Sequence, residues 1–278
     1  MMLETIGAKL GYKYLRYCIP YRLACWKQKE KIDYLKSILA DDMSVKILDA
    51  AIDARKTRNF KCLEKYYDNR FEKSITYLSG ETISYDSSQY FADILQLSDN
   101  EIFIDREGYV GDTTLNFIEQ THGRFNKIHV FEPVKNTFLK IVQNLEMANL
   151  SPNKVILHNV GLYSSKKEIS FNLEGSSARI DKHGKISVKL VSLDDYLSKN
   201  ELKEVTYIKL DVKGAELEAL KGMRKTILKY KPKLAICIYH KPKDLWEIPL
   251  FIKELNPSYS LYIRQHYYKD ETVCYATI

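Results

Sequence analysis

From Glu101 onward, short apolar runs alternate with longer amphipathic stretches along the chain. The apolar runs are of strand length, and they predict strands over Ile102–Asp105, Lys127–Phe131, Lys154–His158, Val205–Leu210 and Lys233–Ile238. Between them, apolar positions recur at helical spacing over Asp112–Gln120, Val134–Met147, Ala215–Leu228 and Leu245–Leu255. Such alternation is typical of a parallel sheet with helices on both faces.

The C-terminal segment follows a different pattern. Leu261–Arg264 and Thr272–Ala276 flank a polar turn at Tyr268–Glu271, which predicts a hairpin that adds an antiparallel strand beside the fifth strand. The expected fold is therefore α/β, with a seven-stranded, mostly parallel sheet and an antiparallel C-terminal hairpin strand. Glu168–Val191 contains two further β-like runs.

Residues 1–97 lack this alternation, and their sequence predicts helices and loops, including an amphipathic helix over Val45–Ala54. We expect an N-terminal helical extension or cap over 1–97 and an α/β domain over 98–278. Ile6–Ile19 is apolar but contains three basic residues, so it is too short and too charged to span a membrane. Packing against the body is its expected use, and weak peripheral membrane association is the alternative.

Composition narrows the class of partner. The 278 residues include 43 Lys and Arg against 36 Asp and Glu, a net charge of +7 that is spread along the chain. This charge suits a polyanionic partner, a nucleotide-linked substrate or an anionic membrane surface, and it is less dense than the basic stripe expected of a nucleic-acid binder. The five cysteines form no paired metal-ligand spacing, and no signal peptide is visible, so we expect a cytoplasmic protein with reduced thiols.

Polar residues stand where the predicted strands end. They are Asp105, Glu132, Asn159, Asp211 and His240. In a doubly wound sheet, ligands bind beyond these carboxyl ends. Gly108 and Gly111 follow the first strand and would allow a ligand close to the backbone at a helix N-terminus. Glu132, after the second strand, has the position of an acid that accepts hydrogen bonds from ribose hydroxyls.

The combined motifs make the chain similar to the FkbM methyltransferase family over about residues 40–277. They are Ser88-Gln89-Tyr90-Phe91, Phe103-Ile104-Asp105, Gly108-Tyr109-Val110-Gly111-Asp112-Thr113, Phe131-Glu132-Pro133, Leu193-Asp194-Asp195, Ile208-Lys209-Leu210-Asp211-Val212 with Gly214-Ala215-Glu216, and Ile238-Tyr239-His240-Lys241-Pro242. The resemblance implies S-adenosylmethionine as the cofactor and a hydroxyl of a sugar, glycan or secondary metabolite as the acceptor.

The resemblance also implies roles for individual residues. The loop residues Asp105, Gly108, Tyr109, Gly111 and Asp112 would border the methionine part of the cofactor. Glu132 would hold the ribose and Asn159 would lie near the adenine, while Gln89 and Tyr90 would cover the cofactor from outside.

Methyl transfer requires a base for the acceptor hydroxyl. His240 is the preferred candidate, against a purely structural histidine. Asp211 is the rival, either as the base or as a ligand to a divalent ion, although we predict no metal site. Asp244, four residues after His240, would either orient it or serve only as a charge at a helix N-terminus.

Two residues depart from the family pattern. Glu107 stands where the family has glycine, often after a small residue where Arg106 stands, and Lys213 stands where it has an acid. A glutamate in the cofactor loop would crowd the methionine subsite, and the two opposite charges would pair across the cleft, so donor binding is expected to be impaired.

Three other functions stay open at this point. A catalytically silent methyltransferase fold could act as a binding or partner subunit. A nicotinamide-dependent enzyme is disfavoured because the third glycine of its fingerprint is missing. A nucleic-acid methyltransferase is disfavoured because no motif for a flipped base appears.

Overall fold

The fold is taken from a computed structural model that describes residues 14–76, 82–106, 108, 110–147, 153–174, 177–180, 184, 186–199 and 204–278. The strands are β1 (Glu72–Thr76), β2 (Thr82–Asp86), β3 (Ile102–Arg106), β4 (Lys127–Phe131), β5 (Val155–His158), β6 (Gly161–Leu162), β7 (Lys167–Glu174), β8 (Ser177–Ile180), β9 (Ile186–Val191), β10 (Tyr207–Leu210), β11 (Lys233–Cys237), β12 (Ser260–Gln265) and β13 (Thr272–Thr277). The α-helices are α1 (Ile19–Lys27), α2 (Lys29–Ile38), α3 (Asp42–Thr57), α4 (Lys61–Glu64), α5 (Asp112–Gln120), α6 (Lys135–Met147), α7 (Leu193–Lys199), α8 (Glu216–Lys221), α9 (Arg224–Tyr230) and α10 (Asp244–Leu255).

The central sheet has seven strands in the order β12-β13-β11-β10-β3-β4-β5. Strand β13 runs antiparallel to both of its neighbours, and the pairs from β11 to β5 are parallel. The predicted fold class is therefore confirmed, and the C-terminal hairpin lies beside the fifth predicted strand. Strands β3 and β10 are buried along their whole length, which explains their nearly continuous apolar sequences.

The predicted helix over Ala215–Leu228 is two helices, α8 and α9, that are separated at Gly222. The reason is a close backbone approach: a Cβ atom on Gly222 would lie 1.9 Å from the carbonyl oxygen of Tyr163. The carbonyl oxygen of Gly222 also accepts a hydrogen bond from the backbone N–H of Asp194, so the chain turns here against the start of α7.

The N-terminal region contains more than the predicted helices and loops, because β1 and β2 form an antiparallel hairpin. Its helices share one apolar core with the sheet, and the Tyr21 ring lies 6.0 Å from that of Trp246. Asp41 caps α3 by accepting a hydrogen bond from the backbone N–H of Ser44, and it also pairs with Arg264 of β12 at 2.6 Å. The boundary at residue 97 stays a prediction.

Two further features concern the surface. The β-like runs of the insertion between β5 and β10 belong to a small sheet, β6-β9-β7-β8. Most of Ile6–Ile19 lies outside the described residues, which begin with a π-helical turn over Tyr14–Cys18. None of the helices in the described ranges has the length and apolarity to cross a membrane.

Candidate active site

The carboxyl ends of four adjacent strands bring the predicted polar residues to one edge of the sheet. Asp105 lies in β3, Glu132 follows β4, Asp211 follows β10, and His240 comes after β11. Parallel strands all end at the same edge, so the order β11-β10-β3-β4 places these side chains in one row.

A buried ion pair lies at the centre of this row. Strand register sets Lys209 directly opposite Asp105, on the same face of the sheet. Lys209 is 2% exposed and Asp105 is fully buried, with Nζ and Oδ1 3.2 Å apart, and Thr114 of α5 donates a hydrogen bond to Asp105 Oδ2. Burial acts to lower the pKa of Lys209, but the carboxylates of Asp105 and Asp211 outweigh it and raise that pKa. Lys209 is therefore a fixed positive charge beneath the site.

Asp211 is held from the opposite side by Tyr90. The Tyr90 hydroxyl donates a hydrogen bond to Asp211 Oδ2 at 3.0 Å, and Gln89 Nε2 donates to that hydroxyl and to Glu271. Tyr90 has φ of +69°, a strained conformation for a residue with a side chain. Its N–H donates to the Tyr275 hydroxyl and its carbonyl accepts from the Tyr207 hydroxyl, and these contacts fix the strained backbone.

His240 lies between two carboxylates. Its Nε2 is 3.4 Å from Asp211 Oδ1, and its Nδ1 is 2.9 Å from Glu216 Oε1. Burial opposes a charge on the ring, but Glu216 and Asp211 outweigh it and raise the pKa of His240 above its ordinary value. Glu216 is fully buried and also accepts hydrogen bonds from the N–H groups of Val212 and Gly214. The imidazole is thus oriented from behind by a carboxylate with a fixed position.

Asp244 does not have the orienting role that was considered for it. Its Oδ2 accepts a hydrogen bond from the backbone N–H of Lys241, just before α10, while Glu216 occupies the position next to the His240 ring. Asp244 therefore acts at the helix N-terminus, the alternative that the sequence had left open.

The glycines of the cofactor loop have steric reasons to be glycine. Gly111 precedes α5 with φ of +92°, and a Cβ on Gly108 would lie 2.6 Å from Val130 Cγ1. Burial raises the pKa of Asp112, in the first turn of α5, to about 6. Glu107 and Tyr109 lie outside the described residues, and so does the expected pairing of Glu107 with Lys213.

On the β4 side, Glu132 is 3% exposed, and its Oε1 accepts a hydrogen bond from the N–H of Val134 at 2.7 Å. Asn159 donates from its amide to the carbonyl oxygens of Glu132 and Pro133, so it fixes the loop after β4. The guanidinium of Arg106 is also buried here and acts to lower the pKa of Glu132, although burial raises that pKa overall.

A cavity of about 460 Å³ opens beside Asp211. Gln89, Tyr90, Asp112 and Asp211 line it, whereas Asp105, Glu132, Asn159 and His240 are not part of its wall. The remaining wall residues come from the segment before β1, the two hairpins, the start of α5 and the ends of β10 and β11: Tyr67, Glu72, Ser84, Tyr85, Asp86, Thr113, Lys209, Lys213, Tyr239, His266, Tyr267, Asp270 and Glu271. No residue of the Glu168–Val191 insertion described here contributes to this wall.

Two groups of described side chains have ligand atoms within 4.8 Å of one another and could hold a metal ion: Asp211 with Glu216 and His240, and Asp211 with Cys237 and Glu271. The two nitrogens of the imidazole face different carboxylates, and Asp211 Oδ1, Glu216 Oε2 and His240 Nδ1 are buried without a hydrogen-bond partner in the part of the chain that the structure describes. That the protein uses no metal stays a prediction.

Several residues of the site had no role in the sequence-based prediction. Lys209 had a signal, since a lysine inside an apolar strand needs a buried partner. Glu216 stood in a recognised motif, but only the fold brings it to His240. The hairpin tyrosines gave no signal, because they converge from segments nearly 200 residues apart.

Comparison with known proteins gives consistent results. The sequence model described as the methyltransferase FkbM domain matches residues 105–266. Hexuronic acid methyltransferase AglP of Haloferax volcanii is 34% identical over 100 residues, which are 34% of this chain and 41% of AglP. A crystal structure of methyltransferase FkbM from Methylobacillus flagellatus KT superposes with a TM-score of 0.73 at 24% identity, over 91% of this chain and 60% of that one. The chain thus spans less than two thirds of the length of both relatives.

Proposed function

The chain belongs to the FkbM methyltransferase family, and from this premise we propose that it transfers a methyl group from S-adenosylmethionine to a hydroxyl of a sugar, glycan or secondary metabolite. The proposal rests on the position of Asp211. Its carboxylate lines the cavity, accepts a hydrogen bond from the Tyr90 hydroxyl on Oδ2, and has His240 next to Oδ1. A carboxylate held in this way, next to a cavity at the carboxyl ends of the central strands, suits an acceptor hydroxyl.

The donor would lie over the ends of β3 and β4. Glu132 would accept hydrogen bonds from the ribose hydroxyls, and the start of α5 after Gly111 would face the methionine part. Asn159 would lie near the adenine, and Tyr90 with Gln89 would close the site from outside. Bound there, S-adenosylmethionine would supply an electrophilic methyl group, and the acidic side chains Asp112 and Asp211 suit its positive sulfonium.

The protein would remove the hydroxyl proton through Asp211 and His240. Asp211 lines the cavity and would contact the acceptor hydroxyl. His240 lies on the other side of Asp211 and would take up the proton, since histidine is the side chain that changes charge near physiological pH. Glu216 holds the imidazole in place and stabilises its protonated form. Alignment of the acceptor oxygen with the methyl group is a positioning effect, to which the fixed Tyr90 contributes.

The departures at Glu107 and Lys213 bear on how strongly the donor binds. Lys213 lines the cavity and has φ of +49°, directly before Gly214 at +95°. We propose that Glu107 and Lys213 weaken donor binding, through crowding of the loop and through a cation close to the sulfonium.

Calorimetric titration with S-adenosylmethionine and S-adenosylhomocysteine tests this function. We expect saturable binding that Glu132→Gln weakens about tenfold or more, as expected for one charge-assisted hydrogen bond. Glu107→Gly and Lys213→Glu should each tighten it. Absence of binding in the wild type and in both reversed variants would contradict the proposal and favour a silent binding subunit.

Weak peripheral membrane association was considered for Ile6–Ile19, most of which lies outside the described residues, and we propose it here for the adjoining helix α1. The helix buries Tyr21 and Cys25, while its outer side exposes Ile19, Leu23 and Trp26, with Trp26 72% exposed. Basic residues accompany this apolar side, as in helices that lie on anionic lipid surfaces, with Arg22 and Lys27 on the helix itself.

A further inference from the structure

Two hairpins, together with Tyr67 from the segment that precedes β1, supply one part of the cavity wall, which we term the hairpin wall. It consists of Tyr67, Glu72, Tyr85, Tyr267 and Asp270. Glu72 and Tyr85 belong to the β1–β2 hairpin, and Tyr267 and Asp270 belong to the turn between β12 and β13. This wall is continuous with Asp211, so whatever it binds lies within reach of the proposed base.

The hairpin wall combines aromatic rings with hydrogen-bond acceptors. The rings of Tyr67 and Tyr267 pack edge to face at 5.9 Å, and the Tyr67 hydroxyl donates a hydrogen bond to Glu72 Oε2 at 3.1 Å. Aromatic faces carry partial negative charge and attract the C–H groups of a sugar ring, while carboxylates accept hydrogen bonds from its hydroxyls. A polyhydroxylated ring therefore fits this surface in both respects.

The charge of the cavity restricts which sugar can enter. Its acidic residues are Glu72, Asp86, Asp112, Asp211, Asp270 and Glu271. Its basic residues are Lys209, which is paired with Asp105; His266, whose Nδ1 lies 2.8 Å from Asp86; and Lys213. His266, from the turn between β12 and β13, also lines the cavity but faces Asp86, and the five residues of the hairpin wall itself are three tyrosines and two acids.

Two of the acids contribute less than a full charge near neutral pH. Burial raises the pKa of Asp112 to about 6 and that of Glu271 to about 7. Glu72 and Asp270 lie in the hairpin wall itself, so a carboxylate on the bound sugar would face like charges there. Like-charge contacts at an interface disfavour binding.

We infer that the hairpin wall binds an acceptor sugar that carries no carboxylate. This differs from the hexuronic acid in the name of the relative AglP. This inference rests on the proposed function, since it assigns the acceptor class of the same site. The uncharged hydroxyls of a neutral hexose can donate to Glu72 and Asp270, whereas a hexuronate brings a negative charge that no base of the hairpin wall neutralises.

Binding of matched sugar pairs tests the inference without requiring turnover. Methyl glucoside and methyl glucuronide form one pair, and methyl galactoside and methyl galacturonide form the other, with affinities measured by saturation-transfer difference NMR on the full chain. We expect the hexoside of at least one pair to bind about tenfold or more tightly than its hexuronide. In the double variant Glu72→Gln/Asp270→Asn, that ratio should shrink because the hexuronide gains affinity.

The matched control is Asp99→Asn, which removes an exposed acid paired with Arg124 at the opposite end of β3 and should leave the ratio unchanged. A hexuronide that binds as tightly as its hexoside, or the failure of every sugar to bind, overturns the acceptor assignment. Titration with S-adenosylmethionine on the same samples separates this failure from that of the proposed function, because donor binding does not depend on the hairpin wall.

Discussion

The substitution Glu216→Gln removes one charge from behind the proposed base and keeps the shape of the side chain. A glutamine oxygen can still accept the hydrogen bonds that the N–H groups of Val212 and Gly214 donate to Glu216 Oε1 at 2.8 and 3.2 Å. The main electrostatic change is thus the loss of a carboxylate 2.9 Å from His240 Nδ1.

The size of the effect follows from this distance. Coulomb's law with an effective dielectric constant of about 20 gives roughly 6 kcal/mol for two unit charges at such a separation. Burial of the charged imidazole offsets much of this attraction, so the pKa of His240 should fall by less than the attraction alone would give.

The sign of the change can be read from the pH dependence of methyl transfer. Neutral His240 is the form that takes up a proton, and its fraction grows as pH rises through the folded-state pKa. The raised pKa of His240 places the acid limb of the wild-type kcat/KM profile above about pH 6.5, the ordinary histidine value. In Glu216→Gln the limb should move to lower pH, with a lower kcat on the plateau because the ring is less well oriented.

Glu218→Gln is the matched control. Glu218 lies on the same helix, but its carboxylate contacts Lys221 and Ser164. The pH profile of kcat/KM for Glu218→Gln should therefore match that of the wild type. An acid limb that stays at the same pH in Glu216→Gln would refute the role of His240 in proton removal. A lower kcat on the plateau would not by itself support that role.

Three further outcomes follow from the structure. Lys209→Met leaves Asp105 as a buried carboxylate without its cation and should lower the free energy of unfolding by about 3–5 kcal/mol in urea titrations; a loss below about 1 kcal/mol would contradict the ion pair. Gly222→Ala should lower stability by about 1–3 kcal/mol, because its Cβ would collide with the carbonyl of Tyr163, and an unchanged melting temperature would show that the contact is absent. Anionic vesicles should shift the fluorescence of the exposed Trp26 to shorter wavelength, and Trp26→Phe measures the contribution of the buried Trp246. No shift, or an equal shift with neutral vesicles, would refute the membrane contact.

Most of the sheet could be predicted because its strands are short apolar runs with distinct ends. The predictions for β4 and α5 agree with the structure to the residue, and the antiparallel β13 follows from the turn at Tyr268–Glu271. The site edge was predictable for the same reason: parallel strands bring their final residues together whatever the loops do.

The rest depended on tertiary contacts that have no local signal. The break at Gly222 arises from a loop distant in sequence, and an unbroken helical pattern conceals it. The β1–β2 hairpin has a polar, weakly alternating sequence, so the surrounding helices dominated the interpretation of that region. Likewise, the partner of His240 could not be chosen between Glu216 and Asp244 by spacing, since both follow the strand ends within a few residues.

Transfer of an isotopically labelled methyl group from S-adenosylmethionine to a neutral hexoside is the decisive measurement for the proposed reaction. We expect a labelled methyl ether on one hydroxyl, formed by the wild type or by Glu107→Gly, and a loss of at least about a hundredfold in rate in Asp211→Asn, the scale of general acid–base catalysis. Donor that binds saturably but leaves no label on any sugar, or a label that forms equally well with Asp211→Asn, would contradict it.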